Sequence, residues 1–270
     1  LERRRGRRHP DWFLKSGGDG AGWFLDEWGT TMDIRPITSE RLASSVITVP
    51  PLARDGHERV SRDENVRLIR HIESGGVDVL LYGGNANFYH LRPSEYASVL
   101  GMLAEAAAPG TLVVPSAGPA YGVMMDQAEV ARDFAFPTVM VLPHQGLNTF
   151  AGVETGLRRF AERLGRPVVV YVKQEGYVTP AEVARLVRDG CVSWIKYAIV
   201  RPQPAEDAFL KELLQQVPAS LVVSGIGEQP AVVHLRDWKL NGFTSGCVCV
   251  APALSMGFLR AAAVGDWVEA

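Results

Sequence analysis

From Ser45 onward the chain alternates short apolar, β-branched runs with longer amphipathic ones. This is the pattern of strands buried on both faces and separated by the helices that cover them. The apolar runs predict strands at 45–49, 77–82, 111–115, 138–142, 167–172, 192–198, 221–224 and 242–245. Between them the spacing predicts helices over 62–74, 93–108, 124–134, 149–164, 180–188, 206–217 and 230–238, with an eighth starting near Pro252. Thr179-Pro180-Ala181-Glu182 carries a start signal, since Thr179 can cap and Pro180 fits the first turn. Eight strand–helix units in about 220 residues suit a (β/α)8 TIM barrel. A doubly wound open sheet is the competitor, but no GxGxxG follows the first strand and no P-loop occurs. In a barrel the active site lies at the C-terminal ends of the strands, so polar residues near those ends carry the functional argument.

Before about residue 40 no hydrophobic periodicity is visible. LERRRGRR is a block of arginines, 16–22 is glycine-rich, and Met32 is the first methionine. A basic arm for nucleic acid or a transit peptide is one reading of this segment. A tag, an extension from a mis-assigned start or a disordered tail is the plainer one, and the one expected. Residues 1–40 are thus expected to be a poorly structured extension, with 1–31 contributing nothing to a barrel at 41–270.

Composition excludes several classes. The 270 residues are 47% hydrophobic, enough for a large core. A net charge of −2 gives no general attraction to nucleic acid or an anionic membrane. No apolar run reaches the ~18 residues of a membrane span. Cys191, Cys247 and Cys249 make no disulfide framework, and the last two are too close for a usual metal or redox pair. A reduced, cytoplasmic protein is expected.

VSWIKYAIV (192–200) reads as a buried strand with Lys196 in its middle. Burying an unpaired ammonium costs several kcal/mol, at least about 2–7, and pushes its pKa down. A neutral amine is what a carbonyl-attacking lysine needs. The other reading is a lysine that snorkels out or pairs with a carboxylate. Tyr171, near the end of the neighbouring strand in VVVYVK (168–173), can shuttle protons, or can be a core tyrosine with its hydroxyl at the rim. Alternation puts Lys173 on the same side as Tyr171, at the mouth, as a second-choice amine. In YGGNANFYHL (82–91), Gly83 and Gly84 allow close backbone approach. Successive N–H groups and the Asn85 amide could hold a carboxylate, unless the stretch is only a tight turn.

Together these pieces resemble the dihydrodipicolinate synthase / N-acetylneuraminate lyase superfamily, the pyruvate-type class I aldolases, over about Ser45 to Trp267. The family's GTTGE loop followed by S-P-E-E-Y corresponds to GGNAN (83–87) and RPSEY (92–96). Its strand-five YN-P stretch corresponds to Tyr171-Val172-Lys173, and its strand-six G-I-K-E/D to Trp194-Ile195-Lys196-Tyr197. Its strand-eight G-x-I/x-S followed by A-P corresponds to Gly242-Phe243-Thr244-Ser245 and Ala251-Pro252. The resemblance implies a barrel in which Lys196 forms an imine with a keto acid and Tyr171 relays protons. Gly84 and Asn85 would hold the keto-acid carboxylate, and the backbone near Thr244 would face the same pocket. It implies a small-molecule keto-acid substrate, no cofactor or metal, and a homo-oligomer (dimer or tetramer).

The departures shape the expected substrate. Gly176 stands where dihydrodipicolinate synthases usually carry the arginine for the second substrate's carboxylate, and Asn87 replaces the loop glutamate. The strand-four V-T-P-Y-Y reads Val141-Leu142-Pro143-His144-Gln145, so the aromatic that completes a proton relay across a dimer interface is missing. His144 replaces it or is simply a rim histidine. A shortened C-terminal helical region is also expected. These changes argue against lysine biosynthesis and toward a hydroxyl-rich, sugar-derived keto acid met by Asn85, Asn87, His144 and Gln174. The expected function is a Schiff-base lyase or aldolase acting on pyruvate or a 2-keto-3-deoxy acid. The alternatives are dihydrodipicolinate synthase proper, or a degenerate keto-acid-binding barrel. A metal-dependent aldolase needs converging ligands, whereas Glu175 and Glu228 are isolated.

Overall fold

The computed structural model describes residues 32–144, 146 and 148–270; the arginine block and the glycine-rich stretch lie outside the described residues. Eight parallel strands form a ring: β1 (Ile47–Thr48), β2 (Val79–Leu81), β3 (Leu112–Val114, resuming as Ser116–Ala117), β4 (Met140–Val141), β5 (Val168–Val172), β6 (Val192–Tyr197), β7 (Val222–Ser224) and β8 (Thr244–Ser245). Pairing runs β3–β2–β1–β8 on one side and β3–β4–β5–β6–β7 on the other. A parallel bridge between Ser224 and Phe243 joins β7 to β8 and closes the circle. Pro115 sits where β3 changes partner from β2 to β4. It has no N–H to donate, but its carbonyl accepts from the Met140 amide at 2.8 Å.

A helix follows each strand: α1 (Arg62–Ser74), α2 (Pro93–Ala106), α3 (Tyr121–Arg132), α4 (Phe150–Leu164), α5 (Pro180–Arg188), α6 (Ala208–Leu214), α7 (Glu228–Arg236) and α8 (Pro252–Ala263). This is the expected (β/α)8 barrel. Every residue of β5 is buried, as a strand with barrel interior on one face and helices on the other must be. The expected start of α5 is present. Thr179 Oγ1 accepts from the Glu182 amide, and the Glu182 carboxylate accepts from the Thr179 amide at 2.9 Å. Three helix starts differ from expectation by two residues or more, and one of them is α7, which begins at Glu228 rather than at 230. The pattern places the third start at 124, yet α3 begins at Tyr121. α6 begins at 208 rather than 206 because Asp207 caps it, accepting from the Leu210 amide at 3.0 Å.

The expected boundary at residue 41 moves. Met32 and Asp33 are buried, the Asp33 amide donates to the Thr111 carbonyl at 3.0 Å, and a one-turn helix spans Ser39–Ala43. The segment from 32 to 43 therefore packs beneath the N-terminal ends of β2 and β3. The absence of helical or strand periodicity there concealed contacts made by single residues. Arg41 is the staple. Its guanidinium binds Asp33 at 3.2 Å, Asp78 Oδ1 at 2.8 Å, and the carbonyls of Asp78 and Gly110 at 2.9 and 3.1 Å. Burial alone would raise the Asp33 pKa. Hydrogen bonds and charge from Arg35, with the charge of Arg41, outweigh burial and hold the carboxyl below its ordinary range. Arg41→Met keeps the stem but strands these acceptors, so we expect a loss of about 1–3 kcal/mol in urea unfolding. An unchanged midpoint would show that the staple is dispensable.

Candidate active site

The β5–β6 pairing has a register shift between Val168 and Val169, after which Tyr171 stands directly beside Lys196. Paired residues of parallel strands point to the same side, so both side chains enter the barrel. Lys196 Nζ lies 4.5 Å from the centre of the Tyr171 ring. Lys196 is only 6% exposed, and no carboxylate is within ion-pairing distance among the described residues. Burial first, and then the nearby charge of Lys173, bring its pKa down to about 7. The ring face offers the ammonium some compensation, as a cation–π contact does, without fixing it in the charged state. Burial likewise pushes the Tyr171 phenol up to about 12, so at neutral pH it keeps its proton and can donate it.

Two glycines make room for this pair. A Cβ on Gly225, just after β7, would lie 2.8 Å from the Tyr197 carbonyl oxygen and 2.9 Å from Lys196 Cγ. The backbone of Gly225 is therefore the wall against which the lysine stem is packed, and its amide donates to the Tyr197 carbonyl. A Cβ on Gly83 would lie 2.5 Å from Met140 Cε and 3.4 Å from Ser116 Oγ, so the loop after β2 dips into the barrel.

That loop continues as a 3₁₀ turn, Gly84–Ala86, closed by Asn87 in the left-handed region (φ 55°). The amides of Ala86 and Asn87 are spent on the Gly83 and Gly84 carbonyls, whereas those of Gly84 and Asn85 donate to no acceptor among the described residues. The Asn85 side-chain amide donates to the Val49 carbonyl at the end of β1, at 3.2 Å. The stretch is thus both the tight turn and the open pair of donors between which the sequence left a choice. Thr244 lies in β8 and is buried. Ser245 turns outward to Glu228, so alternation turns Thr244 inward. Its carbonyl accepts from the Gly227 amide at 3.2 Å.

His144 is half-buried after β4 and lines a cavity of about 240 Å³ between α3 and α4, with Tyr121, Met124, Asn148 and Tyr177 among its walls. Neither Lys196 nor Tyr171 lines that cavity. The phenol close enough to Tyr171 to influence its neighbour electrostatically is Tyr89, whose own pKa is pushed up to about 12 by burial and then by Tyr171. Tyr89 donates to the Pro143 carbonyl at 3.3 Å, packs against Gly84, and carries the Lys173 ammonium over its ring at 5.6 Å. Sequence reasoning missed Tyr89 and Gly225. Tyr89 stands within the quoted loop, but only the glycines and asparagine of that loop were weighed. Gly225 lies in VVSGIG (222–227), at a strand end where a glycine signals close approach. Among the described residues no group of three His, Cys, Asp or Glu side chains is placed to hold a metal ion, and no helix is long and apolar enough to cross a membrane.

No family model matches the chain. A curated relative, the probable 5-dehydro-4-deoxyglucarate dehydratase 1 of Streptomyces coelicolor, is 24% identical over 206 residues, covering 73% of this chain and 63% of the relative. The chain thus spans just under two thirds of that relative's length. Among solved structures, dihydrodipicolinate synthase from Oceanobacillus iheyensis superposes with a TM-score of 0.70 at 22% identity, over 86% of this chain and 76% of that one. The synthase from Bacillus clausii gives 0.72 at 21% identity, over 86% and 77%. N-acetylneuraminate lyase from Mycoplasma synoviae gives 0.70 at 15% identity, over 82% and 76%. The structural neighbours are the superfamily that the sequence motifs resemble, and the fold is the barrel of those enzymes.

The packing around Gly225 yields a prediction with an internal control. Gly225→Ala forces a methyl against the Tyr197 carbonyl and the lysine stem, an overpacking that costs about 1–3 kcal/mol. Gly122→Ala, in α3 with nothing within 4 Å of the new methyl, should be neutral or slightly stabilising. Denaturant unfolding of the two variants checks this; equal stabilities would contradict the close approach at Gly225.

Proposed function

We propose that this protein is a Schiff-base-forming lyase or aldolase that acts on pyruvate or a 2-keto-3-deoxy sugar acid through an imine at Lys196. The observation that carries the reading is the buried Lys196 amine, brought down to about 7 and held over the Tyr171 ring without a counter-ion. A lysine in that state is substantially neutral at neutral pH and can attack a ketone carbon. The nitrogen adds to C2, and the carbinolamine oxygen leaves as water after gaining a proton. The resulting iminium then accepts the electron pair released at C3, whether from a breaking C3–C4 bond or from a departing C3 proton. An enamine forms, and its protonation and hydrolysis return the amine. Tyr171, beside the nitrogen and still protonated, is positioned to give the proton to the carbinolamine oxygen and to take it back. The Gly84 and Asn85 amides, the Asn85 side chain and Thr244 stand at the same end of the barrel, where they can receive the C1 carboxylate. The curated relative is described as a dehydratase, which favours carbon–oxygen cleavage over carbon–carbon cleavage as the outcome of the enamine.

Two further points belong to this proposal. The relay partner that the family takes from a neighbouring subunit has no aromatic counterpart at His144, so Tyr89 of the same chain is the candidate for that place. A homo-oligomer is proposed by the resemblance alone. Dihydrodipicolinate synthase activity proper is the weaker reading, because Gly176 stands where that reaction needs an arginine.

The test is reduction with borohydride in the presence of pyruvate, read by peptide mass spectrometry. The expected adduct is on Lys196 alone among the five lysines. An adduct on Lys173 instead would move the chemistry to the mouth of β5, and no adduct with any 2-keto acid would leave a binding protein.

A further inference from the structure

Among the described residues, the buried polar atoms without a hydrogen-bond partner include the Tyr82 hydroxyl, Ser116 Oγ, Trp194 Nε1 and His234 Nε2. Such atoms are rare, because each gives up its hydrogen bonds to water and gains none in return. His234 lies on α7, outside the ring of strands, and its other ring nitrogen meets Ser224 Oγ at 2.8 Å. The Tyr82 ring packs toward Phe88, after β2. Trp194 stands two residues before Lys196 on β6, below the level of the amine. Ser116 is the one at the height of the proposed chemistry.

The strand pairing sets that height. Ser116 pairs with Met140, which pairs with Val169, two residues before Tyr171. Paired residues of parallel strands point to the same side, and alternation restores that side after two residues. The Ser116 hydroxyl therefore enters the barrel, as Tyr171 does. Followed from β1 round to β8, the pairings return to β1 nearer its N-terminus, so each row steps down by about one residue per strand. Level with Ser116 on β5 is thus Tyr171, two residues above Val169. Alternate strands supply each interior layer, and β3 and β5 are alternate strands. The loop after β2 meets the same hydroxyl. A Cβ on Gly83 would lie 3.4 Å from Ser116 Oγ, and the amides of Gly84 and Asn85, which follow, donate to no acceptor among the described residues. Tyr96, from α2, donates to the Ser116 carbonyl at 3.0 Å and holds the backbone that carries the hydroxyl.

An imine at Lys196 fixes C2 of a keto acid, and C1 is one bond away. The C1 carboxylate is then confined to the neighbourhood of Tyr171, Ser116 and the loop after β2. One O–H and two N–H groups face that space with no acceptor inside the described protein. A carboxylate can accept from all of them, since its two oxygens offer about four lone pairs.

We infer that Ser116 is a substrate-binding residue, whose hydroxyl donates to the C1 carboxylate of the keto acid held at Lys196, beside the amides of Gly84 and Asn85. This rests on the imine reading proposed above and adds to it a side chain from β3.

The test is Ser116→Ala in the full chain, measured in two ways. Borohydride trapping over a range of pyruvate concentrations gives a half-saturating concentration and a maximal rate. The half-saturating concentration should rise about tenfold or more, the size of a lost hydrogen bond to a charged group, with the loss falling there rather than on the maximal rate. Urea unfolding without pyruvate should give a midpoint equal to or above that of the wild type, because a buried hydroxyl without a partner adds nothing to the stability of the unliganded protein. An unchanged half-saturating concentration overturns the inference. A loss carried by the maximal rate instead also overturns it and makes the hydroxyl part of proton transfer. A lowered urea midpoint overturns it as well, since the hydroxyl would then have a structural partner. In these three cases the wild type still traps pyruvate and the imine reading stands. Absence of trapping in the wild type overturns that reading and this inference with it.

Discussion

A buried lysine amine with no carboxylate partner among the described residues is the constraint around which this structure is arranged. Lys196 could be made harmless by a neighbouring carboxylate, and other buried charges here are treated that way. Asp207 is answered by Arg201 and Tyr197, and Asp33 by Arg35 and Arg41. At Lys196 the described residues supply a ring face on one side and a second positive charge some way off. Burial and the second charge favour the neutral amine, and the ring face offsets only part of that preference. The surrounding fold has to absorb the resulting cost, and it does so with the most continuous part of the barrel, the fully paired β5–β6 region.

Position matters as much as charge. The amine is useful only if its stem cannot drift, and the backbone of Gly225 is the surface that fixes it. Gly83 allows a close approach of the loop after β2 to Met140 and Ser116, and the next two amides of that loop donate to no acceptor among the described residues. Tyr89 then ties three strand ends together. It packs on the β2 loop, donates to the carbonyl after β4, and supports the lysine after β5. The site thus gathers two amines and two phenols, of which Lys196 is lowered and Tyr89 and Tyr171 are raised, each toward its neutral form.

Much of this was legible in the sequence. The eight apolar runs marked the strands because burial on both faces demands continuous hydrophobicity, and within such a run a lysine cannot be hidden. That is why Lys196 and its neighbour Tyr171 could be named together from VVVYVK and VSWIKYAIV. What was not legible depends on distance across the fold. Tyr89 lies in a loop whose sequence gives no period, and its approach to Tyr171 joins the end of β2 to the end of β5. His144 sits one residue past Pro143 at a strand end, and the sequence could not show that it lines a cavity between α3 and α4. The bottom of the barrel shows the same limit. Asp33 is held by Thr111, Arg35 and Arg41, contacts of single residues that leave no periodic trace.

The central claim is that the Lys196 amine loses its proton near neutral pH while the molecule is folded. With only five lysines in the chain, selective ¹³C labelling at lysine Cε and NMR titration can follow each one, and Lys196→Met assigns its signal. The account predicts one resonance, absent from that variant, that titrates near pH 7 and rises toward the ordinary lysine range when Lys173 is replaced by methionine. A Lys196 resonance that titrates above pH 10 in the folded protein would contradict it.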